Sequence, residues 1–323
     1  MQKESVLKNN ISFTSLILPY SIIFFSFVFL VVDHFLFSNS LKKFLPSSPE
    51  KLVVFQIFFI TPHIIASSVT LIDREYIKYY RSKLPIAIIL FLIPFVFMNF
   101  KSAAFTGAVI WAIWTIYHVI HQQFGIGKMF LRSTHHTLYK GFTFLGLTTA
   151  ILIFFSVYKK FGLFSDNITL FFLFCFITVG IFIVQTEQNK KGRVYVLLNI
   201  LLITSGYIFY NQLLPFFIIL IPRIIHDCTA FYFYSKHDTN RNKTKNHNLI
   251  YRLFRKIVPI HSPIMTPVLG IMIAFPLTYS KTFSVFNSTA LTIFFGITLV
   301  HYYTEGFMWK NGSIHRQQLS IKV

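Results

Sequence analysis

The sequence predicts an all-α, polytopic transmembrane helix bundle of about ten helices. Three observations predict it. The 323 residues are 54% hydrophobic, with 41 Phe and 16 Tyr, yet only 12% are charged. A soluble domain carries about 25% charged residues, so the deficit points to a lipid environment. Apolar runs recur along the whole chain, each near the roughly 20 residues that cross a bilayer. Finally, Lys and Arg concentrate in alternate connecting segments. This arrangement explains the formal net charge of +20 as a topology signal and leaves no need for a nucleic-acid partner.

The first run, about Thr14–Phe37, is too long for a signal-peptide core and lacks a small-residue cleavage site, so it is expected to be a retained helix. Further spans are expected at about 52–72, 85–100, 103–125, 142–158, 168–185, 194–210, 213–234, 264–280 and 288–309. The third and fourth are separated only by Asn99–Ser102, a tight hairpin. Placing the N-terminus inside gives a Lys plus Arg ratio of about three to one in favour of the inside segments. Both termini are then cytoplasmic, in a single integral membrane domain over 1–323, of the kind found in a bacterial inner membrane. The polar, basic segment 235–263 reads as a cytoplasmic loop. Within it, Leu249–Val258 reads as a short amphipathic helix lying on anionic lipid heads. Cys175 and Cys228 both lie in apolar runs, which gives neither a disulfide framework nor a metal-type Cys pair.

The chemistry is expected where histidines enter the apolar runs. The stretch WAIWTIYHVIHQQFGIGKMFLR places Trp111, Trp114, His118, His121 and Gly125 at the spacing of one helical stripe. Elsewhere, His63 follows Pro62 in the second span. Arg223, His226 and Asp227 lie in the eighth, and His301 and Glu305 in the tenth. All four spans are even-numbered, and the first histidine of each lies at a similar distance from its inner end. The implied common depth is roughly 10–14 Å. Ligating groups at membrane depth are costly and therefore functional candidates. His63, His118, His121, His226, His301 and Glu305 are the expected metal ligands, converging in one pocket. Glu305 and Asp227 are the expected catalytic carboxylates. A polar packing seam between helices is the plainer reading of the same residues.

Several neighbours extend or compete with this set. Arg223 and Asp227 stand at i, i+4, so Arg223 is expected in a structural ion pair and Asp227 as a ligand, an orienting group or the counter-ion. The His237–Asp238 pair repeats His226–Asp227 eleven residues later, roughly 16 Å along a continuous helix. It joins the site only if the helix breaks after Tyr234. His135 and His136 lie in a loop that could fold over the site. His34 is on the outer side, and His247, His261 and His315 read as headgroup-level residues. The aromatics Trp111, Trp114, Tyr117, Tyr302 and Tyr303 read as packing. Histidine and carboxylate donors without Cys suit iron, with manganese and zinc as alternatives.

With these residues in place, the chain resembles the polytopic, histidine-rich membrane oxygenases. These include the Brp/Blh-type carotene-cleaving enzymes and the non-haem-iron desaturases and hydroxylases. The resemblance covers the topology and the histidine layer. Of the desaturase histidine boxes, only His118-x-x-His121 and the His135–His136 doublet come near. The YHVIHQQFGIGKMF and HYYTEGFMWK blocks are similar to segments of bacterial membrane proteins without an assigned activity. The resemblance implies a metal-dependent oxygenase or hydroxylase acting on an apolar small molecule, served by an electron-donor protein. A proton-coupled or metal transporter and a non-catalytic assembly protein are the alternative classes.

Overall fold

The computed structural model describes residues 10–99, 101–157, 166–242, 247–257, 262–283 and 287–321. The described chain is all-α apart from one two-residue parallel pairing of β1 (Asn10–Ile11) with β2 (Ser320–Ile321). The main helices are α1 (Ser21–Leu36), α2 (Thr61–Leu71), α3 (Arg74–Tyr79), α4 (Leu84–Asn99), α5 (Lys101–Lys128), α6 (His136–Val157), α7 (Asp166–Thr186), α8 (Lys190–Asn211), α9 (Pro215–Arg241), α10 (Leu249–Ile257), α11 (Ser262–Phe283) and α12 (Asn287–Met308). Every expected span falls on a helix. Among the described residues, six helical stretches are long and apolar enough to cross a membrane: Phe13–Leu36, Val53–Leu71, His136–Val157, Asp166–Thr186, Lys190–Asn211 and Pro215–Arg241. Leu84–Val96 and Ile264–Tyr279 are shorter apolar stretches.

Two expectations about segment 235–263 resolve differently. The helix at 249 forms as the amphipathic pattern requires. The loop does not begin at 235, because α9 runs unbroken to Arg241. His237, Asp238, Asn240 and Arg241 find buried or paired partners there, and no Pro or Gly interrupts the helix between Pro222 and Arg241.

The chain divides into two compact units. One takes in Met1–Ser12, Val53–Trp111 and Asp227–Lys322; the other takes in Phe13–Leu52 and Ala112–His226. In the second unit, α5, α6 and α7 pack through Phe124, Phe142 and Phe176, all buried, with the Phe142 and Phe176 rings stacked at 4.5 Å. Gly146 is required here, since a Cβ would lie 2.6 Å from Phe124. A buried polar seam crosses this apolar packing: Tyr20 donates to Asn199 at 3.1 Å and to Gln123 at 3.3 Å, and Tyr195 donates to Gln123 at 3.3 Å. Gln123, placed in the histidine stretch by sequence, thus serves a helix seam.

In the first unit α4 packs on α12 and α2 on α11. Gly270 lets α11 approach the Pro62 carbonyl, which a Cβ would meet at 2.7 Å. The turn before α2 is a π-helix over Gln56–Ile60, where the Thr61 amide reaches back to the Gln56 carbonyl. Pro62 has no amide proton to continue the normal ladder, and widened turns of this kind recur at functional sites. The π turn sets the direction in which His63 enters the interior. At the end of this unit, the Arg241 Nε donates to Asp73 at 3.1 Å and its Nη2 to Glu75 at 2.6 Å. The Asn240 amide donates to the Gln318 carbonyl at 2.8 Å.

Candidate metal centre

Within the first unit, α2, α9 and α12 bring His63, Asp227, His301 and Glu305 into the interior. His63, Asp227 and His301 have no exposed surface, and Glu305 has 5%. The His63 and His301 rings meet edge to face with centroids 4.8 Å apart. His63 Nδ1 lies 3.2 Å from Asp227 Oδ1. His301 and Glu305, one helical turn apart on α12, each offer a ligand atom within 4.8 Å of the other's, as do His63 and Asp227.

The hydrogen bonds place a proton on Nδ1 of both rings. His63 Nδ1 lies 3.2 Å from the Phe59 carbonyl, which can only accept. Asp227 Oδ1 lies at the same distance, so Nδ1 carries a proton, and in the neutral ring the lone pair is on Nε2. Ser67 Oγ donates to the Ile64 carbonyl at 2.7 Å, so it must accept from His301 Nδ1 at 2.8 Å. His301 thus also carries a proton on Nδ1, and in the neutral ring its lone pair is on Nε2. A histidine tied back through one nitrogen to a neutral oxygen acceptor is the usual arrangement of a metal ligand. The Tyr234 hydroxyl donates to Glu305 Oε1, fixing that carboxylate. Ser67 and Tyr234 were not singled out from sequence. Yet Ser67 is four residues after His63 and Tyr234 seven after Asp227, so each shares a helix face with a site residue.

Within the second unit, α5 and the first part of α9 bring His118 and His226 together, with ring centroids 4.8 Å apart. His226 is fully buried, and each residue offers a ligand atom within 4.8 Å of the other's. His121 does not join this pair. It is exposed and stacks on Tyr117 at 4.8 Å. Three residues correspond to 300° of helix rotation, which carries His121 about 60° away from His118. The His135 loop is occupied otherwise: Nε2 faces Thr186 Oγ1 at 3.1 Å and Nδ1 faces Glu187 at 3.2 Å. His136 opens α6, partly buried. Arg223 is buried at 4% exposure, one turn before Asp227 on α9.

His237 and Asp238 form a separate group because α9 does not break. His237 Nδ1 donates to Asp238 at 2.8 Å, and His237 Nε2 accepts from the Tyr76 hydroxyl at 2.8 Å. Asp238 also accepts from Thr266 at 2.6 Å, from Thr70 at 3.3 Å and from Tyr251. His315, expected at headgroup level, is instead fully buried. It stacks on His237 at 4.9 Å and faces the Tyr80 hydroxyl through Nδ1 at 3.0 Å. Burial, helped by His237 and Arg241 nearby, pushes its pKa down to about 2. Burial likewise raises Tyr80 to about 12. Of the aromatics read as packing, Trp111 meets Phe295 edge-on at 5.2 Å and Tyr303 meets Phe307 at 5.4 Å, whereas Tyr117 is exposed. His34 is exposed beside Asn39, and His261 lies outside the described residues.

Comparison with protein-family models, curated proteins and solved structures finds no match to this chain.

Proposed function

We propose that this chain is a membrane-embedded metalloprotein, and that its metal serves oxygenation or hydroxylation of a lipid-soluble substrate. The observation that carries the reading is the pair His63 and His301. Both have the proton on Nδ1, and they meet at 4.8 Å with two buried carboxylates, Asp227 and Glu305, in the same unit. Neutral imidazoles and carboxylates without thiolate suit iron, with manganese or zinc next. The carboxylates offset metal charge where low polarity makes it costly. Glu305, held by Tyr234, is the ligand chosen first; Asp227 is chosen second, since it lies beside His63 and one turn from Arg223. His118 and His226 are a further ligand pair.

Bound iron would supply oxygen activation. The chain's own groups hold it, exclude water and carry protons at Glu305 and Tyr234. In a hydroxylation one oxygen atom enters the substrate and the other leaves as water. Two electrons and two protons are consumed, so an electron-donor protein on the cytoplasmic side is part of the reading. Pairing of β1 with β2 supports an even number of crossings, in keeping with ten spans and both termini on the inner side of a bacterial membrane. The test is to compare apolar extracts of cells expressing wild-type protein and Glu305→Gln by mass spectrometry. Oxygenated or cleaved lipids confined to the wild type are expected; identical extracts would remove the oxygenase reading.

A proton-coupled carrier is the second reading, favoured by the buried Tyr76–His237–Asp238 chain, because such chains also relay protons. Proteoliposomes with an internal pH dye separate the two. Substrate-driven proton uptake lost in Asp238→Asn would favour the carrier.

A further inference from the structure

Helix α10 presents two faces of different chemistry. Tyr251 and Phe254 point inward and pack with Ile65 and Val69 of α2 and Met265 and Leu269 of α11. The roll of the helix is locked. The Tyr251 hydroxyl bonds Asp238 of α9 and meets Thr266 of α11 at 2.9 Å. The N-terminus is held by Asn248, whose Oδ1 accepts from the Ile250 amide at 2.9 Å and whose amide donates to the Val69 carbonyl at 2.7 Å. The opposite face consists of Leu249, Arg252, Leu253 and Lys256, all exposed, at i, i+3, i+4 and i+7. Leu249 is 45% and Leu253 52% exposed.

A stripe turned to water would not display two leucines, and one sunk in acyl chains would not carry Arg and Lys. The alternation fits the boundary between the two, where leucines enter the upper acyl region and the cations reach the phosphates. The location agrees, since α10 lies across the ends of α2, α9 and α11, each largely apolar. We propose that the Leu249–Arg252–Leu253–Lys256 face of α10 is a binding site for anionic phospholipid, held at a fixed angle by Tyr251 and Asp238. Arg252 and Lys256 take the phosphate and headgroup charge while Leu249 and Leu253 take the first methylenes. The inference does not depend on the metal reading.

The experiment uses the full chain in mild detergent, titrated with phosphatidylglycerol or phosphatidylcholine and read by native mass spectrometry. Phosphatidylglycerol is expected to bind more tightly, and Arg252→Gln/Lys256→Gln to weaken it about 25-fold, roughly fivefold per cation. Arg252→Lys/Lys256→Arg should restore wild-type binding, and Lys190→Gln, in the other unit, should leave it unchanged. Equal binding of the two lipids by the wild type, or undiminished phosphatidylglycerol binding by the double Gln variant, would overturn the proposal. A loss that the charge-preserving variant fails to restore would do the same.

Discussion

Two buried histidine–carboxylate groups in the same unit are built from the same residue types and differ in how each imidazole is held. At His63 and His301, one ring nitrogen is tied to an oxygen acceptor and the lone pair lies on the other nitrogen. At His237 both nitrogens are committed, Nδ1 to Asp238 and Nε2 to Tyr76, and the ring face is covered by His315. In the neutral ring the first arrangement puts the lone pair on Nε2, the atom that the proposed metal would take. The second spends every donor and acceptor on protein partners and pins α2, α3, α9, α10 and α11 together. Residue type alone therefore does not distinguish a ligand from a staple; the identity of the second partner does.

That contrast can be broken most strongly by substitution. His301→Ala is expected to remove most bound metal, measured by elemental analysis of purified protein, while His237→Ala leaves metal content unchanged. His237→Ala should instead cost about 3 kcal/mol of stability, because it leaves the buried Asp238 and Tyr76 short of partners, visible as a lower melting temperature. If His237→Ala lost the metal and His301→Ala kept it, the two roles would be exchanged.

Ser67→Ala tests the tautomer argument. It removes the acceptor that keeps the His301 proton on Nδ1, and should weaken metal affinity about 10- to 100-fold without unfolding the protein. A competition titration with a chromophoric chelator reads this directly. An affinity equal to the wild type would show that the tautomer is set by something else.

The second group has its own pH signature. The folded pKa of His315 is depressed to about 2, below the unfolded value of about 6.5. The folded state thus binds fewer protons, and stability falls as pH drops below that unfolded value. The contribution lost at pH 5 is about 2 kcal/mol, and nothing changes above neutral pH. The melting temperature of wild type should fall from pH 7 to pH 5, and His315→Gln should flatten that slope. The smallest effect is expected at His121. Being exposed, His121→Ala should leave metal content unchanged and shift stability by no more than about 0.5 kcal/mol.

Helix positions were legible in the sequence because hydrophobic length and alternating basic segments are strong, local signals. So were the residues of the first unit's group, since a His or Glu within an apolar run is conspicuous. Rotation about a helix axis was less legible: the stripe through His118 and His121 did not show that 60° separates a buried ring from an exposed one. The continuation of α9 past Tyr234 was hidden by the basic, polar composition of the following residues, which helix propensity alone does not exclude. Burial of His315 was not legible at all. It depends on a tail returning to Tyr76 and Tyr80, a contact more than two hundred residues distant in sequence.

The most direct test of the central claim is X-ray absorption at the edge of whichever metal copurifies, on wild type and on His63→Ala, His301→Ala and His237→Ala. The account predicts about one metal with only nitrogen and oxygen neighbours, near 2.0–2.2 Å, lost in the first two variants and retained in the third. Wild-type protein without stoichiometric metal, or a spectrum unaltered by removal of His63 and His301, would contradict it.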